Sequence, residues 1–166
     1  ALAADMLMIT LDLSEVMNAD AGDWPQDKID KAYNKLPKAV KERIEANYAD
    51  KEFTFGKSQI KFDAPTARRC AVMYLEALDF ADKVHQHLVS KRGNKFDLEI
   101  SIDETTSPTL PSHHLFIARE LQERKVEFTS LAPRFIGEFQ KAIDYIGDPK
   151  EFDRQFEVHA DIARNN

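Results

Sequence analysis

One cysteine among 166 residues, Cys70, leaves no partner for an internal disulfide. That fits a reducing compartment such as the cytoplasm. No run is long and apolar enough to span a bilayer, so no membrane partner is expected. Basic residues are outnumbered: 23 Lys and Arg stand against 29 Asp and Glu, for a net charge of −6. No basic stripe stands out, which argues against nucleic acid as a partner. Short chemical signatures are missing too. No GxGxxG follows a strand and no GxxxxGK precedes Ser or Thr, so nucleotide folds lose support. No GxSxG elbow points to an α/β-hydrolase. Without HExxH, CxxC or a Cys/His cluster, a structural zinc site is not expected.

What is present is ordinary for a globular chain: 43% hydrophobic and 31% charged residues, enough for one domain over residues 1–166 with a real core. The start, "ALAADMLMITLDLSE", carries Asp5 and Asp12 and no basic leader, so it reads as a strand rather than a signal peptide. Met6 to Asp12 is its apolar part. A loop follows, and Asp23-Trp24-Pro25 opens a helix with Ile29, Ala32, Tyr33 and Leu36 at helical spacing. Pro37 breaks it before a second helix, "KAVKERIEANYA". "FTFGKSQIKF" alternates around Gly56 as a small hairpin would. Pro65 opens the longest helix, striped by Ala71, Leu75, Leu78, Ala81, Val84 and Leu88 and stopped by Gly93-Asn94. "KFDLEISI" is a strand with Phe96, Leu98, Ile100 and Ile102 on one face. "HHLFIARELQERK" is a helix and "VEFTSLA" a strand. Pro133 to Ile146 is expected to be helical, and "KEFDRQFEVHADIAR" forms the last helix. The aromatics of "FIGEF" and "FDRQF" read as core.

Strands alternate with helices, and three βα units begin near Met6, Phe96 and Val126. The fold class is α/β, with parallel strands and helices packed outside them. A closed (βα)8 barrel needs roughly 250 residues, so this chain is expected to be part of a larger βα-barrel enzyme. Both ends read as cut.

Parallel α/β folds bind ligands beyond the carboxyl ends of their strands. Three strand ends here carry suitable groups: Asp12 in "ITLDLSE", Asp103 and Glu104 in "ISIDETTSPT", and Arg134 in "SLAPRF". The acids suit general acid/base work or metal ligation. The plainer reading has Asp103 capping the next loop and Glu104 solvated. Arg134 suits a carboxylate or phosphate gripped by two parallel bonds, or else a salt bridge to a neighbouring acid. His113 and His114 start a helix beside the acidic loop. His85 and His87, two apart on a helix, diverge. His159 lies among apolar residues, where a packed imidazole is the commoner role. Cys70, within a long helix, reads as an inert buried thiol.

The blocks "SIDETTSPT", "SLAPRFIGEFQKAIDYIGD" and "HADIAR", in that order between Glu99 and Arg164, resemble the tagaturonate/fructuronate epimerase family. "MITLDLSE" resembles its earlier strand. The resemblance implies a barrel-type, divalent-metal-dependent sugar-acid epimerase that interconverts the keto-uronates D-tagaturonate and D-fructuronate in hexuronate breakdown. It also implies a longer chain that continues past "IAR". On this reading Asp12 and Glu104 are candidates for proton transfer and Asp103 for orienting or ligation. Arg134 is the candidate for the substrate carboxylate. Glu104, His114 and His159 are candidate metal ligands, with manganese, nickel or zinc as the ion. A small-molecule sugar acid is the expected partner, with self-association a further expectation. Two other readings use the same residues: another metal-dependent sugar aldolase or isomerase, and a non-catalytic homologue that packs against a partner chain.

Overall fold

A computed structural model describes residues 6–103, 105 and 107–166. Three parallel strands form the central sheet. They are β1 (Met8–Asp12), β4 (Asp97–Ile102) and β5 (Ser130–Pro133), in the order β1-β4-β5. Met8 to Asp12 pair with Asp97 to Ser101, and Glu99 to Ile102 with Ser130 to Pro133. All three strands run the same way, so their carboxyl ends share one edge of the sheet.

Alternation divides the two faces. Leu98, Ile100 and Ile102 are almost fully buried and share a core with Ala71, Leu78, Leu115 and Leu121 of the helices. The opposite face is polar. There Glu99 accepts hydrogen bonds from Thr10 of β1 (3.1 Å) and Ser130 of β5 (2.9 Å), tying the three strands together.

Between β1 and β4 lie α1 (Gln26–Tyr33), α2 (Lys38–Tyr48), the hairpin β2 (Lys51–Phe55) and β3 (Ser58–Phe62), and α3 (Ala64–Arg92). The hairpin turns at Gly56, whose φ of 56° is open to glycine at no steric cost. Asp63 caps α3 by accepting from the Thr66 N–H at 2.7 Å. Gly93, with φ 60°, ends that helix after 29 residues, with Lys91 and Arg92 in its last turn. Then come α4 (Pro111–Glu123) and α5 (Pro149–Asn165). Cys70 is fully buried in α3 and burial pushes its thiol pKa up, which fits an inert side chain.

The segment after β5 differs from the helix expected over Pro133 to Ile146. The strand itself is short, Ser130–Pro133, and the chain then forms an irregular loop closed by Glu138 and Ile146, whose backbone groups bond each other at 2.9 and 3.2 Å. Positive φ at Gly137 (78°) and Ala142 (65°) is incompatible with a right-handed helix. The aromatics of this stretch and of α5 form a ring cluster, and part of it stays uncovered: Phe139 and Phe156 are exposed rather than core.

One buried ion network joins the helical layer. Glu120 of α4 is wholly buried and takes two bonds from Arg43 (2.5 and 2.7 Å), one from Tyr48 (2.9 Å) and one from Arg124 (2.8 Å). Burial alone would raise its pKa. The bonds from Arg43 and Arg124 outweigh that and hold the carboxyl below its usual range. Removing one member of such a network strands the others in a dry site. Glu120→Ala is therefore expected to cost about 3–5 kcal/mol in urea unfolding. Asp27→Ala, which breaks an exposed helical pair with Lys31, should cost under about 0.5 kcal/mol.

Candidate active site at the strand ends

At the carboxyl edge the polar column of β4 continues past the strand. Ser101 is buried, and its hydroxyl donates to the carboxylate of Asp103, which is exposed. Asp12 is the register partner of Ser101, so its side chain emerges on the same face one strand away. It is also exposed, and its carboxylate accepts the Ser14 N–H at 2.8 Å, closing the turn after β1. The turn-capping role weighed for Asp103 thus falls to Asp12. Among the described residues, the Asp103 side chain bonds back to its own strand instead.

Arg134 follows Pro133 at the end of β5 and is half-buried. Its backbone is pinned to the loop after β4: the Arg134 N–H donates to the Thr109 hydroxyl at 3.0 Å, and the Thr109 N–H donates to the Arg134 carbonyl at 2.8 Å. No ion pair engages its guanidinium among the described residues. A cleft of about 600 Å³ brings Asp103 and Arg134 together, with Phe135, Phe139 and Gln140 along its wall. Asp12 does not line it. The cleft pairs a cation with a carboxylate, both set at strand ends.

The histidines sit elsewhere. His114 and His159 meet face to face between α4 and α5, with Nδ1 to Nδ1 at 2.8 Å and rings stacked at 20°. Both are buried, and Phe135 closes over His159 edge-on. His113 bonds the Tyr74 hydroxyl at 2.9 Å and lines a second cavity of about 420 Å³ shared with Ile102, Pro108 and Thr109. His85 accepts the Glu127 N–H at 3.3 Å. Glu104 lies outside the described residues. Among those described, no three His, Cys, Asp or Glu side chains come together as a metal site would need. His114 and His159 are a pair without a third donor, so the described residues do not make a metal centre by themselves.

The sequence reading missed the polar row beneath the site. Asp97, Glu99, Ser101 and Asp103 alternate with Leu98, Ile100 and Ile102, and that period was visible. Only the apolar half of it was used for more than the last two polar positions.

Burial lowers the pKa of His113, His114 and His159. His113 falls from 6.5 to about 4, with the Arg69 charge a second cause. His114 and His159 fall for the same first reason; His159 lowers His114 further, and the Thr109 carbonyl partly offsets the shift at His159. At 2.8 Å one neutral imidazole donates and the other accepts, whereas two imidazolium rings would repel. These folded pKa values lie below the unfolded ones, so the unfolded chain binds protons first as pH drops. Stability is complete above about pH 6.5 and is lost progressively towards pH 4. Urea unfolding should show lower stability at pH 5 than at pH 7.5, with His113 contributing about 2 kcal/mol of the difference. The difference should shrink in His113→Phe, which has one fewer imidazole to charge.

Three comparisons bear on the site. The family described as tagaturonate epimerase (UxaE) matches residues 1–166. Over 124 residues the chain is 44% identical to a tagaturonate/fructuronate epimerase of Thermotoga maritima, covering 75% of this chain and 26% of that protein. Crystal structures of the fructuronate-tagaturonate epimerase UxaE from Cohnella laeviribosi, native and with one glycerol, superpose with TM-scores of 0.92 and 0.93 at 43% identity. They cover 99% of this chain and 34% of the solved chain. The chain thus spans between a quarter and a third of the length of these relatives.

Proposed function

The chain belongs to the tagaturonate epimerase family, and on that premise we propose that it supplies one wall of a sugar-acid epimerase site acting on D-tagaturonate and D-fructuronate. The observation that supports this reading is the strand-end cleft shared by Asp103 and Arg134. A keto-uronate carries a carboxylate at one end and hydroxyls along its length. Arg134, with no ion-pair partner among the described residues, suits the carboxylate through two parallel N–H···O bonds. Asp103 suits a hydroxyl beside it.

The two keto-uronates differ at a hydroxyl-bearing carbon one beyond the carbon that the ketone acidifies. Inversion there proceeds most simply by cleavage and rebonding. A carboxylate takes the hydroxyl proton, and the bond to the carbon next to the ketone breaks. Its electron pair forms an enolate, and the hydroxyl carbon becomes an aldehyde. The aldehyde turns, the enolate adds to its other face, and the proton returns. Nothing is oxidised or reduced. We assign the proton transfers to Asp12 and Glu104, and orientation of the hydroxyl to Asp103.

The three-stranded sheet is proposed as a sector of a (βα)8 barrel, with its polar face towards the barrel axis. Both of its edges, β1 and β5, are open to further strands. A divalent cation (manganese, nickel or zinc) is proposed for the whole enzyme, with ligands drawn in part from beyond the described residues.

The test is conversion of D-tagaturonate to D-fructuronate by the purified chain, followed chromatographically with manganese, nickel or zinc and with chelator. Metal-dependent conversion that disappears in Glu104→Gln is the expected result, with Arg134→Leu raising KM about tenfold or more. Conversion only in a longer chain that includes the family's remaining residues would make this chain an incomplete part of the site. No conversion by either would remove the epimerase reading.

A further inference from the structure

Phe139 is the largest uncovered apolar group beside the two charges of the cleft. It is 60% exposed, yet it is not loose. Its ring rests on Tyr145 at 5.0 Å between centroids and on Phe152 at 5.3 Å. Tyr145 is itself fixed, since its hydroxyl donates to the Ile136 carbonyl at 3.1 Å. Gly137, at φ 78°, lies directly against that ring, where any Cβ would collide with it. The backbone on either side is clamped by the Glu138–Ile146 pair. Two ring contacts thus hold Phe139, on a partner and a backbone that are themselves fixed, and its remaining surface lines the cavity of Asp103 and Arg134.

A polyhydroxy acid offers three kinds of surface. Its carboxylate and hydroxyls need charged or polar partners. Its C–H groups need an apolar one, and the electron-rich face of an aromatic ring attracts such weakly positive hydrogens. Ligand sites are built this way, with an apolar wall and a few placed polar groups. We infer that Phe139 is the platform on which the C–H face of a keto-sugar acid rests while Arg134 holds its carboxylate. The inference builds on the functional reading above and adds the residue that would bind the uncharged part of the substrate.

The two contributions separate in binding. The chain is titrated by calorimetry with D-tagaturonate and with D-tagatose, its uncharged ketohexose counterpart. Phe139→Ala is expected to weaken both about tenfold, the loss for uncovering one ring face. Phe139→Trp should bind both at least as well as the native chain. Arg134→Leu should weaken the acid alone. Phe139→Leu keeps an apolar side chain on the Tyr145–Phe152 seat and removes the ring. It should preserve the near-ultraviolet circular dichroism of the cluster and still lose about tenfold for both sugars. Native affinity for both sugars in Phe139→Ala and Phe139→Leu, with Arg134→Leu still selective against the acid, would overturn the platform and leave the carboxylate reading standing. A native chain that binds neither sugar would overturn the platform, while the functional reading stands or falls separately on conversion by the longer chain.

Discussion

The alternation of β4 governs most of what this chain does. Seven residues, Asp97 to Asp103, place Leu98, Ile100 and Ile102 in the core and Asp97, Glu99, Ser101 and Asp103 on the other face. A slip of one residue would put carboxylates into the helix layer and isoleucines into the cleft, at a cost no hydrogen bond would recover. The apolar half fixes the register of the strand. That fixed register then aims the polar half. Glu99 adds a lock from the polar side, because each of its oxygens accepts from a different neighbouring strand. Asp103 is therefore placed by core packing several ångströms away, and its position needs no help from the loop that follows.

The same logic explains what could be read in advance. The strands, the hairpin at Gly56 and the helices opened by Pro25 and Pro65 were legible because each rests on local rules: alternation, turn chemistry, proline in the first turn. The parallel direction of β1, β4 and β5 followed from the alternation of strands with helices. The segment after β5 was not legible, and the reason is physical. Phe135, Phe139, Ile143 and Ile146 have near-helical spacing, so the pattern promised a helix. The backbone went another way because Tyr145 folds against Gly137 and Gly147, a contact between residues whose packing no local period reports. Aromatic contacts with α5 then absorbed side chains that a helix would have buried along one face.

The candidate site divides along the same line. Asp12, Asp103 and Arg134 were found at strand ends because that position is a property of parallel sheets, independent of the chemistry performed there. Which of them share a cleft depended on the loops. Asp103 and Arg134 do; the carboxylate of Asp12 is partly engaged by its own turn at Ser14. The histidines behaved differently. His114 and His159 lie 45 residues apart, and only the packing of α4 on α5 brings them together. A sequence shows such residues as polar intrusions in apolar stretches, and that signal does not separate a ligand from an imidazole whose partner is another imidazole.

Two regions of the molecule hold charge in opposite ways. In the helical layer Glu120 is surrounded by Arg43, Arg124 and the Tyr48 hydroxyl, with its acceptor capacity filled. Such a group has nothing left to offer a ligand; its partners fix how α2 and α4 meet. At the strand ends the reverse holds. The Arg134 backbone is tied at both its N–H and its carbonyl, while its guanidinium has no partner among the described residues. Among the described residues, the Asp103 carboxylate accepts from Ser101 alone. Asp103 is exposed and Arg134 only half-buried, so both charges stay open to solvent on a rigid main chain. That pairing is what the proposed sugar-acid reading rests on.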